Sequence, residues 1–106
     1  MPKYLIKAKL TADGLKGLIK EGGTARRQVV DTMVKSLGGR LESMNWALGD
    51  DDVYLVAELP DNAAVAAVGL VASSSGGVRT STVALLTPEE IDEAVRRKVD
   101  YRAPGA

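Results

Sequence analysis

The sequence predicts a two-layer α+β sandwich, one sheet covered by helices, and three observations carry that prediction. The chain has 106 residues, the size of one domain. Its period-two and helical-period segments follow one another in the order strand, helix, strand, strand, helix, strand. Turn or capping residues mark the boundaries between them.

Residues 3 to 10 (KYLIKAKL) place Tyr4, Ile6, Ala8 and Leu10 on one face and Lys3, Leu5, Lys7 and Lys9 on the other, a strand pattern. Thr11 to Gly14 interrupt it, and Leu15, Leu18 and Ile19 predict a short helical turn that Gly22-Gly23 stops. From Thr24, a candidate N-cap, Val29, Val30, Met33, Val34 and Leu37 line one stripe of a helix over about 24 to 37, closed by Gly38-Gly39. RLESMNWALG and VYLVAEL read as two strands joined by the turn Gly49-Asp50-Asp51-Asp52. Asp61 is placed to cap a helix carrying Val65, Val68, Leu70 and Val71, whose small neighbours suit close packing on a sheet. Ser73 to Gly77 form a turn before the fourth strand, VRTSTVALL. Thr87, Pro88 and Glu90 make a capping box with proline at the first helical position, opening a C-terminal helix with Ile91, Ala94 and Val95 on one narrow apolar face. The polar tail beyond it frays or docks on a partner.

Composition excludes several chemistries. With 45% apolar and 26% charged residues, the chain has the balance of a soluble domain, and its mass scaling gives about 5,700 Å² of folded surface against about 16,000 Å² unfolded. No His and no Cys means no imidazole base, no thiolate nucleophile, no disulfide and no zinc site of the usual kind. Equal numbers of basic and acidic residues, 14 each, supply no global field for nucleic acid or anionic lipid, so neither nucleic acid nor membrane is an expected partner. No leader-like segment and no long apolar run is present, which gives a cytoplasmic location by default.

The strand order is that of a ferredoxin-like βαββαβ sandwich with an extra C-terminal helix, one domain over 1–106 with a core at about 1–91 and a helix and tail at 88–106. Its helices cover only one sheet face. With Ile6, Leu41, Val53 and Leu55 facing them, Leu5, Met44, Trp46, Leu48, Tyr54 and Val56 fall on the uncovered face among Lys3, Lys7, Glu42 and Glu58. An apolar patch with charged borders marks an association surface, and a sheet-to-sheet homodimer or higher oligomer is the expectation. Met44→Asp or Val56→Asp is then expected to break it.

The segments PKYLIKAKLT, KGLIKEGGTARRQVVDTMVKSLGGRLES, GDDDVYLVAELPDN and GGVRTSTVALLTPEE resemble the GYD domain family over about residues 1 to 91. The resemblance implies a ferredoxin-like fold of the dimeric α/β-barrel type and an oligomer, and carries no established reaction. Asp51 stands where the family's Tyr is expected, beside Gly49, Asp52 and Val53. Superfamily relatives, by the same resemblance, hold small aromatic substrates or haem between sheet and helices, and some act without a cofactor. No His is present here to ligate haem, and no cofactor is expected.

Candidate ligand residues are Gly22, Gly23, Arg26, Arg27, Trp46 and Tyr54. The glycine pair opens onto a helix N-terminus beside two guanidinium groups, which reads either as a helix break with solvated arginines or as a seat for a carboxylate or phosphate; the P-loop spacing is missing. Trp46 and Tyr54, on the same expected face of neighbouring strands, either pack in an interface or stack on a planar ligand. Asp50 to Asp52 read as a solvated turn, lacking the alternating ligands of a calcium loop, and no metal is expected. Tyr4, Tyr54, Lys7, Glu42, Glu58, Asp52, Arg26 and Arg79 are the groups a cofactor-free enzyme could use, without a recognisable catalytic pair among them. The sequence therefore points to a homo-oligomer binding a small anionic or aromatic molecule, with a cofactor-independent enzyme of monooxygenase or isomerase type, or a purely structural assembly module, as alternatives.

Overall fold

Alternation in the first strand becomes alternation in burial. In the computed structural model, which describes residues 1–106, β1 (Lys3–Leu10) buries Tyr4, Ile6 and Ala8 while Lys3, Leu5 and Lys7 stay partly open. Four antiparallel strands, β1, β2 (Arg40–Trp46), β3 (Val53–Glu58) and β4 (Val78–Leu85), lie in the order β2-β3-β1-β4. The connecting helices are α1 (Ala12–Glu21), α2 (Gly23–Ser36) and α3 (Asn62–Ser74), and α4 (Pro88–Arg96) follows the sheet. This is the ferredoxin-like α+β fold with an added C-terminal helix. No helix is long and apolar enough to cross a membrane.

The core is made by the two central strands and two helices. Tyr4, Ile6 and Ala8 of β1 meet Val53, Leu55 and Ala57 of β3 beneath Val30 and Val34 of α2 and Val68 of α3, with Leu59 sealing the end. α2 packs on β2 and α3 on β4. Asp61 caps α3 through the Ala64 amide at 2.9 Å, and Thr87 and Glu90 close the capping box of α4 with two bonds of 3.1 Å.

Two local expectations change. The short turn after β1 is a ten-residue helix, because Thr11 accepts from the Gly14 amide and its own hydroxyl and amide donate to Gly76 and Gly77 carbonyls at 2.8 and 3.0 Å. That tie brings α1 onto the 76–77 turn so closely that a Cβ on Gly14 would collide with the Gly77 carbonyl. Gly14→Ala is expected to cost about 1–3 kcal/mol through the forced backbone shift, read as a lower denaturation midpoint; an unchanged midpoint would refute the contact. The N-cap of α2 is Gly22 at φ 87° rather than Thr24, which lies within the first turn and leaves the helix without a side-chain cap.

The larger correction concerns β2. Its register against β3 runs Leu41↔Ala57, then Ser43↔Val56, Met44↔Leu55 and Trp46↔Val53, so an extra residue is accommodated between Leu41 and Ser43. Such a bulge reverses the inward and outward sense of every later side chain. Met44 and Trp46 therefore face the helices with Leu55 and Val53, not the open face, and Met44→Asp no longer tests the sheet-to-sheet contact. Leu48 lies beyond the strand, in the hairpin loop. The open face retains Leu5, Tyr54 and Val56, and β4 adds Val83 opposite Leu5.

Candidate ligand cleft

The helix side of the sheet holds a cleft of about 270 Å³ between α2 and α3. Ile6, Ala8, Val53 and Leu55 form its floor, Val29, Val30 and Met33 one wall, and Val71 and Ala72 the other, while Met44 and Trp46 arrive from β2 because of the bulge. Val29 and Val71 remain 48% and 66% exposed at the rim, so the helices leave apolar surface facing a gap. Fifteen of the eighteen lining residues are hydrophobic; the remainder are Arg26, Ser75 and Thr80. The volume suits a ligand of about one ring, at the small end of the usual range for binding pockets.

Arg26 supplies the only charge. It lies in the first turn of α2, half-buried, and pairs with no carboxylate, whereas Arg40 pairs with Glu58 at 3.2 Å and Arg97 with Glu93 at 2.8 Å. An unpaired guanidinium beside apolar walls is shaped to take a carboxylate or similar anion through two parallel hydrogen bonds. Gly23 has a steric duty here, since a Cβ at that position would stand 3.1 Å from Trp46 Nε1. The glycine lets the indole lie against the start of α2.

The candidate residues divide accordingly. Arg26 and Trp46 share the cleft. Gly23, Arg27 and Trp46 border a shallow depression on the outer side of the same helix start, adjoining the Gly22 cap. Tyr54 is set apart: it is paired with Asn45 on the open face, opposite in sense to Trp46, so the two aromatics cannot stack on one ligand. What sequence reasoning missed is the second wall. The exposed Val71 on an alanine-rich helix, facing Val29, was the available signal.

The other polar candidates are engaged elsewhere. The Tyr4 hydroxyl is buried and donates to Asn62 at 2.7 Å. Asp52 accepts from the Leu10 amide at 2.8 Å, and its own amide donates to Ala8, tying the hairpin to β1. Glu42 pairs with Lys3 at 3.1 Å and Glu58 with Arg40, all on the open side. Lys7 and Arg79 belong to that same face. None of these groups lines the cleft. A second depression, bounded by Lys3, Tyr4, Asn62, Leu85 and Glu90, is wide and open, and its polar groups are already engaged, Lys3 with Glu42 outside it, Tyr4 with Asn62, and Glu90 in the α4 cap.

The fold and cleft define a small ferredoxin-like α+β domain with an apolar seat between sheet and helices. The profile of the GYD domain family matches residues 4–95, and the chain belongs to that family. No curated protein and no solved structure gives a significant match.

Proposed function

We propose that the chain is a homo-oligomeric small-molecule-binding domain whose α2–α3 cleft takes a compact apolar or aromatic molecule bearing one anionic group. The observation that carries this reading is Arg26, an unpaired, half-buried cation at an otherwise apolar cleft that also holds the single tryptophan. The apolar walls supply affinity by area, and the guanidinium supplies orientation. A binding role, rather than catalysis, fits a cleft with no carboxylate, lysine or tyrosine to move a proton. Self-association through the open sheet face belongs to the same reading, with Val56, Leu5 and Val83 forming an apolar row across three strands. A chain free of cysteine also suits the reducing cytoplasm.

Trp46 provides the test, being the sole tryptophan. Titration with phenylacetate is expected to change its fluorescence saturably, and phenylacetamide, alike in shape but neutral, is expected to bind at least tenfold more weakly. Equal responses to the two would remove the role given to Arg26. No saturable response to either would remove the cleft as a seat for aromatic acids.

A further inference from the structure

The ligand cleft continues past Arg26. A smaller hollow of about 140 Å³ lies between α1 and the turn before β4, and it shares Leu10, Arg26, Ser75 and Val78 with the cleft, so the guanidinium stands at the junction of the two. Where the cleft is walled by valine and methionine, the hollow is bordered by Gly14, Gly17, Gly77 and the carboxylate of Glu21. Ser75 is already engaged there, its hydroxyl donating to the Ala72 carbonyl at 2.6 Å and accepting from the Gly77 amide at 3.2 Å. Glu21 forms no ion pair, and neither does Arg26.

The two charges reach one hollow because the chain passes from α1 to α2 through Gly22 alone, whose φ of 87° permits the abrupt change of direction. That junction sets helix ends of opposite sign side by side. Glu21 is the last residue of α1, where the partial negative charge of the helix end disfavours a carboxylate, and the adjacent Lys20 does not share its face. α2 begins with no side-chain cap and no acid in its first turn, and Arg26 adds to the positive end. Each group therefore sits at the unfavourable end of its own helix, and the two border the same space without pairing across it. A molecule between them makes a charge-assisted hydrogen bond of about 2.8 Å to each.

We infer that the acid received by Arg26 is a zwitterion, an aromatic α-amino acid, with its ring in the cleft, its carboxylate on the Arg26 guanidinium and its ammonium group in the hollow on Glu21. This rests on the small-molecule reading above and narrows its ligand class. In an α-amino acid the carboxylate, the amine and the side chain all leave from one carbon. The site has the same branching, with a cation at the junction, a carboxylate in the small glycine-lined arm and apolar walls along the larger one. A plain aromatic acid satisfies only Arg26 and leaves Glu21 unpaired. A dicarboxylic acid sets its second charge against Glu21, so the same residue that favours the zwitterion disfavours the dianion.

Trp46 fluorescence tests the inference with phenylalanine and 3-phenylpropionate, which has the same skeleton without the amine. Phenylalanine is expected to bind about tenfold more tightly to the unaltered chain, the worth of one charge-assisted bond to a group that solvent still reaches. Glu21→Gln replaces an exposed side chain and leaves the core intact. It is expected to abolish that preference by weakening phenylalanine. If phenylalanine binds no more tightly than 3-phenylpropionate, or if Glu21→Gln weakens both alike, the zwitterion is refuted while the aromatic-acid site stands. If the gap closes only because 3-phenylpropionate tightens, Glu21 is a screen against anions and the ammonium contact is refuted. No saturable response to phenylacetate, 3-phenylpropionate or phenylalanine overturns both readings.

Discussion

Leu59→Ala is expected to lower the thermal midpoint by about 10–30 °C. The side chain is completely buried just beyond β3, against Val34 and the backbone of Gly39, where a Cβ on the glycine would come within 2.8 Å of Leu59 Cδ2. Truncating a leucine in such a site costs about 2–5 kcal/mol in lost transfer energy and residual cavity. In a domain of this size each kcal/mol moves the midpoint by about 4–8 °C. Only ten residues are buried, so few neighbours can collapse into the space. Circular dichroism at fixed protein concentration is the measurement, because self-association would otherwise move the midpoint. A shift below about 3 °C would mean that this end of the core is not closely packed.

Arg26→Ala is expected to weaken phenylacetate binding about 10- to 100-fold, corresponding to the ~1.5–3 kcal/mol of a charge-assisted hydrogen bond. The fold should be unaffected, since Arg26 makes no ion pair that its loss would orphan. Arg26→Lys should recover part of the affinity, because an ammonium keeps the charge but not the planar fork. Phenylacetamide binding should change little in either variant. Loss of both probes to the same degree would show that Arg26 shapes the cleft rather than recognising the anion.

The fold was legible because its signals are local. The alternation of β1, the Asp61 cap and the Thr87 box each depend on residues a few positions apart, and each forms where the pattern puts it. The short helical turn expected from Leu15, Leu18 and Ile19 extends to the ten residues of α1 because its start is held by Thr11 bonding to Gly76 and Gly77, sixty-five residues away or more. Arg26 and Trp46 were recognisable as candidates from their types, but their shared cleft was not. That cleft depends on a bulge invisible to strict period-two reading and on a gap between helices set by tertiary packing. Tyr54 lies on the open face as its alternation predicts, and it is Trp46 whose face the bulge reverses.

The bulge in β2 works as a phase shifter. Upstream of it, Leu41 faces inward by one parity of the sequence; downstream, Met44 and Trp46 face inward by the other. Deleting the extra residue there would restore regular pairing and leave Met44 and Trp46 inward, whereas deleting Asn45, past the bulge, would turn Trp46 to the exterior with the composition of the strand nearly intact. The strand's spacing, more than the chemistry of any one side chain, therefore decides whether the tryptophan addresses a ligand or a partner. Length changes past the bulge should be far less tolerated than substitutions at the strand's solvent-facing positions.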